Sequence, residues 1–194
     1  MLTTLTTLKA RLGLETFDTT DDALLINLAN FVSARFAADC HRTFDYGAAL
    51  TYEFRARQLN IVVDRPPIAS VALFELKTTE AEGWLSQTGI DYVLTPTKSM
   101  IQLAFPLGGA RQLGRVTYTG GYILPGTVPS GSQLALPADL ELACMEQVSY
   151  WYQRRAQLGL VSVSTGGATV QQYQSTDLLP QVAAVLKHYE RWVN

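Results

Sequence analysis

Residues 136–155 read LPADLELACMEQVSYWYQRR, the stretch with the strongest helical signal in the chain. Leu140, Ala143, Cys144, Val148 and Trp151 recur at helical spacing and form one apolar stripe, flanked by Tyr150 and Tyr152. Pro137 suits a first helical turn, where the N–H it lacks would have no intrahelical acceptor. Asp139 and Glu141 put negative charge at the positive end of the helix dipole. Arg154 and Arg155 complement the opposite end, just before Gly159.

Upstream of this helix, residues 124–132 are rich in Pro, Gly and Ser and read as a loop or linker. Before them the period is two. Tyr52, Phe54 and Ala56 alternate with Glu53, Arg55 and Arg57, as in a half-buried strand. Further short strands are predicted over residues 59–63 and 71–76, and around Tyr92-Val93-Leu94, Ile101-Gln102-Leu103 and Val116-Thr117-Tyr118. Arg65-Pro66-Pro67 interrupts the series with two residues that cannot donate to a ladder.

The N-terminal end is helical again. Leu2, Leu5, Leu8 and Leu12 share a face that stops at Gly13. Asp18-Thr19-Thr20-Asp21-Asp22 then supplies caps and negative charge for a second helix running to about Asp39, with Leu24, Leu25, Leu28, Phe31, Val32 and Phe36 on one face.

Downstream, Val161-Ser162-Val163-Ser164 and Thr169-Val170-Gln171 either pair as a hairpin or stay unordered until a partner binds. Pro180 opens a last helix with Val182, Val185, Leu186 and Tyr189 along one side. The whole reads as α+β: N- and C-terminal helices forming a bundle around a β-rich antiparallel insertion. The expected divisions are residues 1–47 (helices), 48–124 (insertion), 125–136 (linker) and 137–194 (helices, with a polar arm at 160–176).

Composition narrows the function. Of 194 residues 47% are apolar, enough for a sizeable core, while only 16% are charged, which favours an oligomer whose surface is partly an interface. A formal net charge of −2, without a basic patch, argues against binding that works by neutralising phosphates. No apolar run approaches the length of a membrane span.

Chemistry is sparse. Cys40 and Cys144 are too far apart in sequence for a metal-ligand spacing, and adjacent Cys40 and His41 point in different directions on a helix. His188 falls in the last turns of a helix, where it suits the dipole as well as it would suit a ligand. Asp18, Asp21 and Asp22 lack the spacing and central Gly of a calcium loop. Gly108-Gly109, Gly120-Gly121 and Gly166-Gly167 match no phosphate-binding pattern. No metal, cofactor or catalytic residue is expected, and the chain reads as a non-enzyme.

The order of these segments resembles the head–tail connector (adaptor, or head-completion) proteins of long-tailed bacteriophages. The resemblance is carried by Val116-Thr117-Tyr118-Thr119-Gly120-Gly121-Tyr122, the Pro/Gly linker, Leu136 to Ala143 and Tyr150 to Arg155. Leu5 to Gly13, Asp21 to Leu25, Cys40-His41-Arg42-Thr43-Phe44, Arg65 to Val71, the Gly-rich stretch after Gly159 and Leu179-Pro180 agree with it. The linker from Ile123 to Leu136 is longer than in many relatives.

The resemblance implies a structural virion protein made in the host cytoplasm. About twelve copies would ring the portal's underside, meet a tail-side neck or stopper protein, and pass DNA through the lumen without reading it. Tyr173, His188, Tyr189, Arg191 and Trp192, on the arm and last helix, are the candidate contacts to a neighbour or the portal. Trp151 reads either as core or as interface. The alternatives are another neck or tail component, such as a tail terminator or baseplate protein, or a small ligand-binding module.

Overall fold

The computed structural model describes residues 1–155, 162–165, 169–172 and 178–191. Their contacts divide the chain into two compact units, each assembled from separate stretches of sequence.

The first unit comprises Met1–Phe36 and Pro137–Tyr189. Helix α1 spans Leu5–Leu12. Thr4 caps it by accepting from the Thr7 N–H, and Gly13 ends it in the left-handed conformation that a glycine adopts without penalty. Helix α2 spans Asp22–Asp39 and buries Leu25, Ala29, Val32 and Phe36, an i, i+4, i+7, i+11 stripe. Phe31 departs from the sequence expectation: it is 60% exposed. At 100° per residue it lies about 130° from the centre of that stripe, so its exposure follows from helix geometry.

Helix α3 spans Ala138–Gln153, with Pro137 at its N-cap, and buries Leu140, Ala143, Cys144, Gln147, Val148, Ser149 and Tyr152. Helix α4 spans Pro180–Lys187 and buries Val182 and Leu186. Gln147 joins the two helices, since its Oε1 accepts the Leu179 N–H at 2.9 Å just before α4 begins.

One charged side chain is enclosed here. Lys9 is only 3% exposed. Its Nζ sits 2.6 Å from Asp22 Oδ1 and donates to the carbonyls of Asp18 (2.6 Å) and Thr16 (3.2 Å). These contacts stitch the turn between α1 and α2 to the helix that follows. A buried ammonium is tolerated when each desolvated proton finds an oxygen.

The second unit comprises Ala37–Leu136 with Glu190 and Arg191. Strands β1 (Gly47–Arg55), β2 (Asn60–Val62), β3 (Ile68–Lys77), β4 (Leu85–Gln87), β5 (Tyr92–Leu94), β6 (Met100–Leu103) and β7 (Leu113–Gly120) build two antiparallel sheets, ordered β1-β7-β3-β4 and β2-β6-β5. Their inward side chains form one core: Phe54, Ile61, Val63, Ile68, Phe74, Ile101, Leu103, Val116 and Tyr118. Burial alternates strictly along β7, as a period of two requires. Two strands of two residues, β8 (Tyr122–Ile123) and β9 (Leu134–Ala135), pair in parallel, unlike the antiparallel remainder. In the first unit, β10 (Ser162–Thr165) and β11 (Thr169–Gln172) pair antiparallel, the first of the two readings the sequence allowed.

The Gly120-Gly121 pair has a packing role. A Cβ on Gly120 would lie 2.5 Å from the Arg65 carbonyl oxygen, and one on Gly121 2.3 Å from that of Asp45. Gly121 also has φ +96°. Nearby, the Tyr118 hydroxyl donates to Asp64 Oδ1 at 2.5 Å and accepts from the Arg65 N–H at 3.2 Å. Burial and the Asp64 carboxylate push the Tyr118 phenol well above its ordinary range.

Lys9→Ala is expected to lower unfolding free energy by about 2–4 kcal/mol, below the upper end for a broken buried pair because Asp22 is partly exposed. Urea denaturation measures this as a lower midpoint at unchanged slope. Gly121→Ala combines positive-φ strain with a backbone clash and is expected to destabilise by at least about 2 kcal/mol. A wild-type melting temperature in that variant would contradict the packing role.

Candidate functional site

The residues able to do chemistry are occupied structurally. Cys40 and Cys144 are both buried. Burial pushes the Cys40 thiol up to about 11 and the Cys144 thiol up to about 12. His41 follows Cys40 at φ +50° with its side chain exposed. Asp18 accepts from the Thr20 N–H, Asp21 accepts from the Tyr152 hydroxyl, and Asp22 faces Lys9. Hydrogen bonds from Thr20 hold the Asp18 carboxyl below its usual range. At Gly108-Gly109 a turn is held by Gln112, whose Oε1 accepts the Gly109 N–H at 2.6 Å; Gly166-Gly167 lies outside the described residues. Among the described residues no group of three or more His, Cys, Asp or Glu is placed to hold a metal ion. No helix among them is long and apolar enough to cross a membrane.

The candidate contact residues are differently placed. His188 is the exposed C-cap of α4. The Tyr189 hydroxyl donates to the Asp139 carboxylate, 2.7 and 2.9 Å from its two oxygens, and so ties the end of α4 to the first turn of α3. Arg191 belongs to the second unit and is held from several sides. Its N–H donates to the Cys40 carbonyl (2.9 Å), and Nη2 donates to the Val62 carbonyl (2.7 Å) and the Tyr52 hydroxyl (2.6 Å). The guanidinium also lies over the Tyr52 ring, 5.1 Å from its centroid. Tyr173 and Trp192 lie outside the described residues.

An aromatic pair with one exposed member escaped the sequence reading. Phe31 lies 5.3 Å, centroid to centroid, from half-buried Trp151 on the helical unit. Trp151 is thus neither fully buried nor free, packing against exposed Phe31. The angular position of Phe31 on α2 was the available signal.

A family model described as head completion protein matches residues 1–192. This chain belongs to the head completion protein family. It is accordingly a structural protein of the virion and not an enzyme.

Solved structures share its fold. A chain from the neck of an empty gene transfer agent (GTA) particle, computed with C6 symmetry, aligns with TM-score 0.58 at 13% identity, covering 100% of this chain and 91% of that one. A chain from the neck of a native GTA particle, computed with C12 symmetry, aligns with TM-score 0.56 at 13% identity over 98% and 89%. A chain from the virion of a native GTA particle gives 0.59 at 14% identity over 100% and 91%. No curated protein matches the sequence.

The raised thiol values set a pH dependence for this head completion protein. Both cysteines favour the protonated form in the fold, so their contribution is intact below the ordinary thiol range, about 8.5. It is lost as pH rises towards about 11 and about 12, because the unfolded chain gives up protons that the folded chain keeps. Denaturation midpoints are expected to fall steadily above pH 9. At pH 8 a thiol reagent should label both cysteines only in denaturant; rapid labelling of the native chain would show the burial to be wrong.

Proposed function

We propose that this head completion protein closes into a ring of about twelve copies beneath the portal and bridges it to the tail-side neck or stopper protein. The observation that carries this reading is the family match over residues 1–192. Support comes from the GTA necks that share the fold, computed with C12 and C6 symmetry. A twelve-membered ring suits both, since every six-fold rotation belongs to the twelve-fold set.

DNA passes through the lumen of such a ring without being gripped. Arg115 makes a two-pronged pair with Glu75 at 2.8 and 2.9 Å, Arg65 pairs with Asp45, and Lys9 with Asp22. Cations neutralised within the chain release few counterions from a passing duplex. The contacts to the portal or a neighbour fall on the polar arm at residues 160–176 and on Tyr173, His188, Tyr189 and Trp192. Arg191 anchors the chain immediately before Trp192.

Light scattering tests the ring. With the cognate portal protein, the mass of the complex is expected to rise by about twelve copies of this chain. A chain that ignores the portal at micromolar concentration would overturn the reading.

A further inference from the structure

Strand β1 is an edge of its four-stranded sheet, and the register shows which of its backbone groups face outward. Beyond the strand, the Ala56 N–H donates to the Gln112 carbonyl at 3.0 Å, continuing the Arg55↔Leu113 register. In an antiparallel pair such bonds fall on alternate residues, so Phe54, Tyr52 and Leu50 are bonded to β7. Thr51, Glu53 and Arg55 turn their N–H and C=O groups away. The Arg55 N–H is taken by Gln58 Oε1 at 3.1 Å. The side chains of Thr51 and Glu53 are exposed.

The open part of this edge has defined limits. A register shift between Gly47 and Leu50, with Ala49 at φ +53°, closes it at one end. Gln58 closes it at the other. Between them Leu50–Phe54 keeps an unbroken register with β7, long enough for a strand of four residues. Other edges fit less well. Strands β2, β4 and β5 have three residues each, and the part of β3 not covered by β4 carries a register shift between Val71 and Leu73.

Among the described residues, the same chain carries a strand pair without a third member. Strands β10 and β11 have four residues each and form a two-stranded sheet. A two-stranded ribbon alone is marginal in water, and a third strand stabilises it. No charged residue occurs in the sequence from 156 to 176, so nothing there resists lying against another backbone. A head-to-tail ring requires a donor and an acceptor surface on every copy.

Resting on the ring reading, we propose that the β10–β11 hairpin of one copy adds to the outer edge of β1 in the next copy, extending the four-stranded sheet across the subunit boundary. Main-chain hydrogen bonds to Thr51 and Glu53 would supply the join, as in other cases of strand addition.

Hydrogen exchange on the free chain and on the portal-bound ring tests this. In the free chain the Thr51 and Glu53 amides are expected to exchange quickly. In the ring they slow at least about tenfold, and the amides of residues 162–172 slow with them. A second test uses Thr51→Pro and Glu53→Pro, which remove N–H groups that β7 does not use. Each is expected to leave the free chain's melting temperature within a few degrees and to prevent ring closure on the portal.

Protection of Thr51 and Glu53 already present in the free chain would overturn the proposal. So would their protection in the ring without the hairpin amides, which would mean that a strand of the portal occupies the edge. A wild-type ring in which neither segment is protected refutes strand addition and leaves the ring intact. Absence of any ring removes both. If a proline variant fails to fold, the exchange comparison on the wild-type chain still decides.

Discussion

The β-rich unit depends on two residues without side chains. At Gly120 and Gly121 the chain leaving β7 passes the backbones of Asp45 and of Arg65–Pro67 at distances no Cβ tolerates. That approach brings three stretches of chain into hydrogen-bonding range. The Gly121 N–H donates to the Pro67 carbonyl (3.0 Å), the Tyr122 N–H to the Phe44 carbonyl (2.8 Å), and the Tyr46 N–H to the Tyr122 carbonyl (2.8 Å). Tyr118, one turn of the pleat earlier, points into the core and binds Asp64 and Arg65 at the far side of the same crossing. The sheet, the turn after β2 and the entry to β1 are thereby fixed by one junction. A buried backbone needs partners for its polar groups, and here it obtains them by proximity alone.

Long periodic segments were legible because their burial is one-sided. Helix α2 begins at the end of the predicted caps and ends at Asp39 as its spacing predicts, and the alternation around Phe54 places β1 correctly. Strands β4, β8 and β9 were not legible. Two or three residues cannot display a period, and β8 pairs with β9 across a Pro/Gly-rich stretch that reads as loop. Phe31 was assigned to the core face because it is apolar, although its angle on the helix said otherwise.

The contact residues divide along similar lines. The end of α4 was readable as a place where aromatic and cationic side chains gather near a terminus. The fixing of Arg191 was not, because most of its acceptors are carbonyls at Cys40, His41 and Val62, and a carbonyl leaves no signature in a sequence. The outward N–H groups of β1 were equally hidden. Which of two neighbouring residues faces outward is decided by register with β7, and register is a property of the folded sheet.

The two thiols have a bearing on how long such a particle lasts. A virion leaves a reducing cytoplasm for an aerated medium, where any accessible thiolate is oxidised or cross-linked to its neighbours. Cys40 and Cys144 are both buried, and burial pushes each thiol well above its ordinary range, so both stay protonated at neutral pH. Oxidants that act through the thiolate find nothing to attack. The subunit therefore offers such oxidants no accessible thiol, and a particle that waits long for a host acquires no disulfide through Cys40 or Cys144.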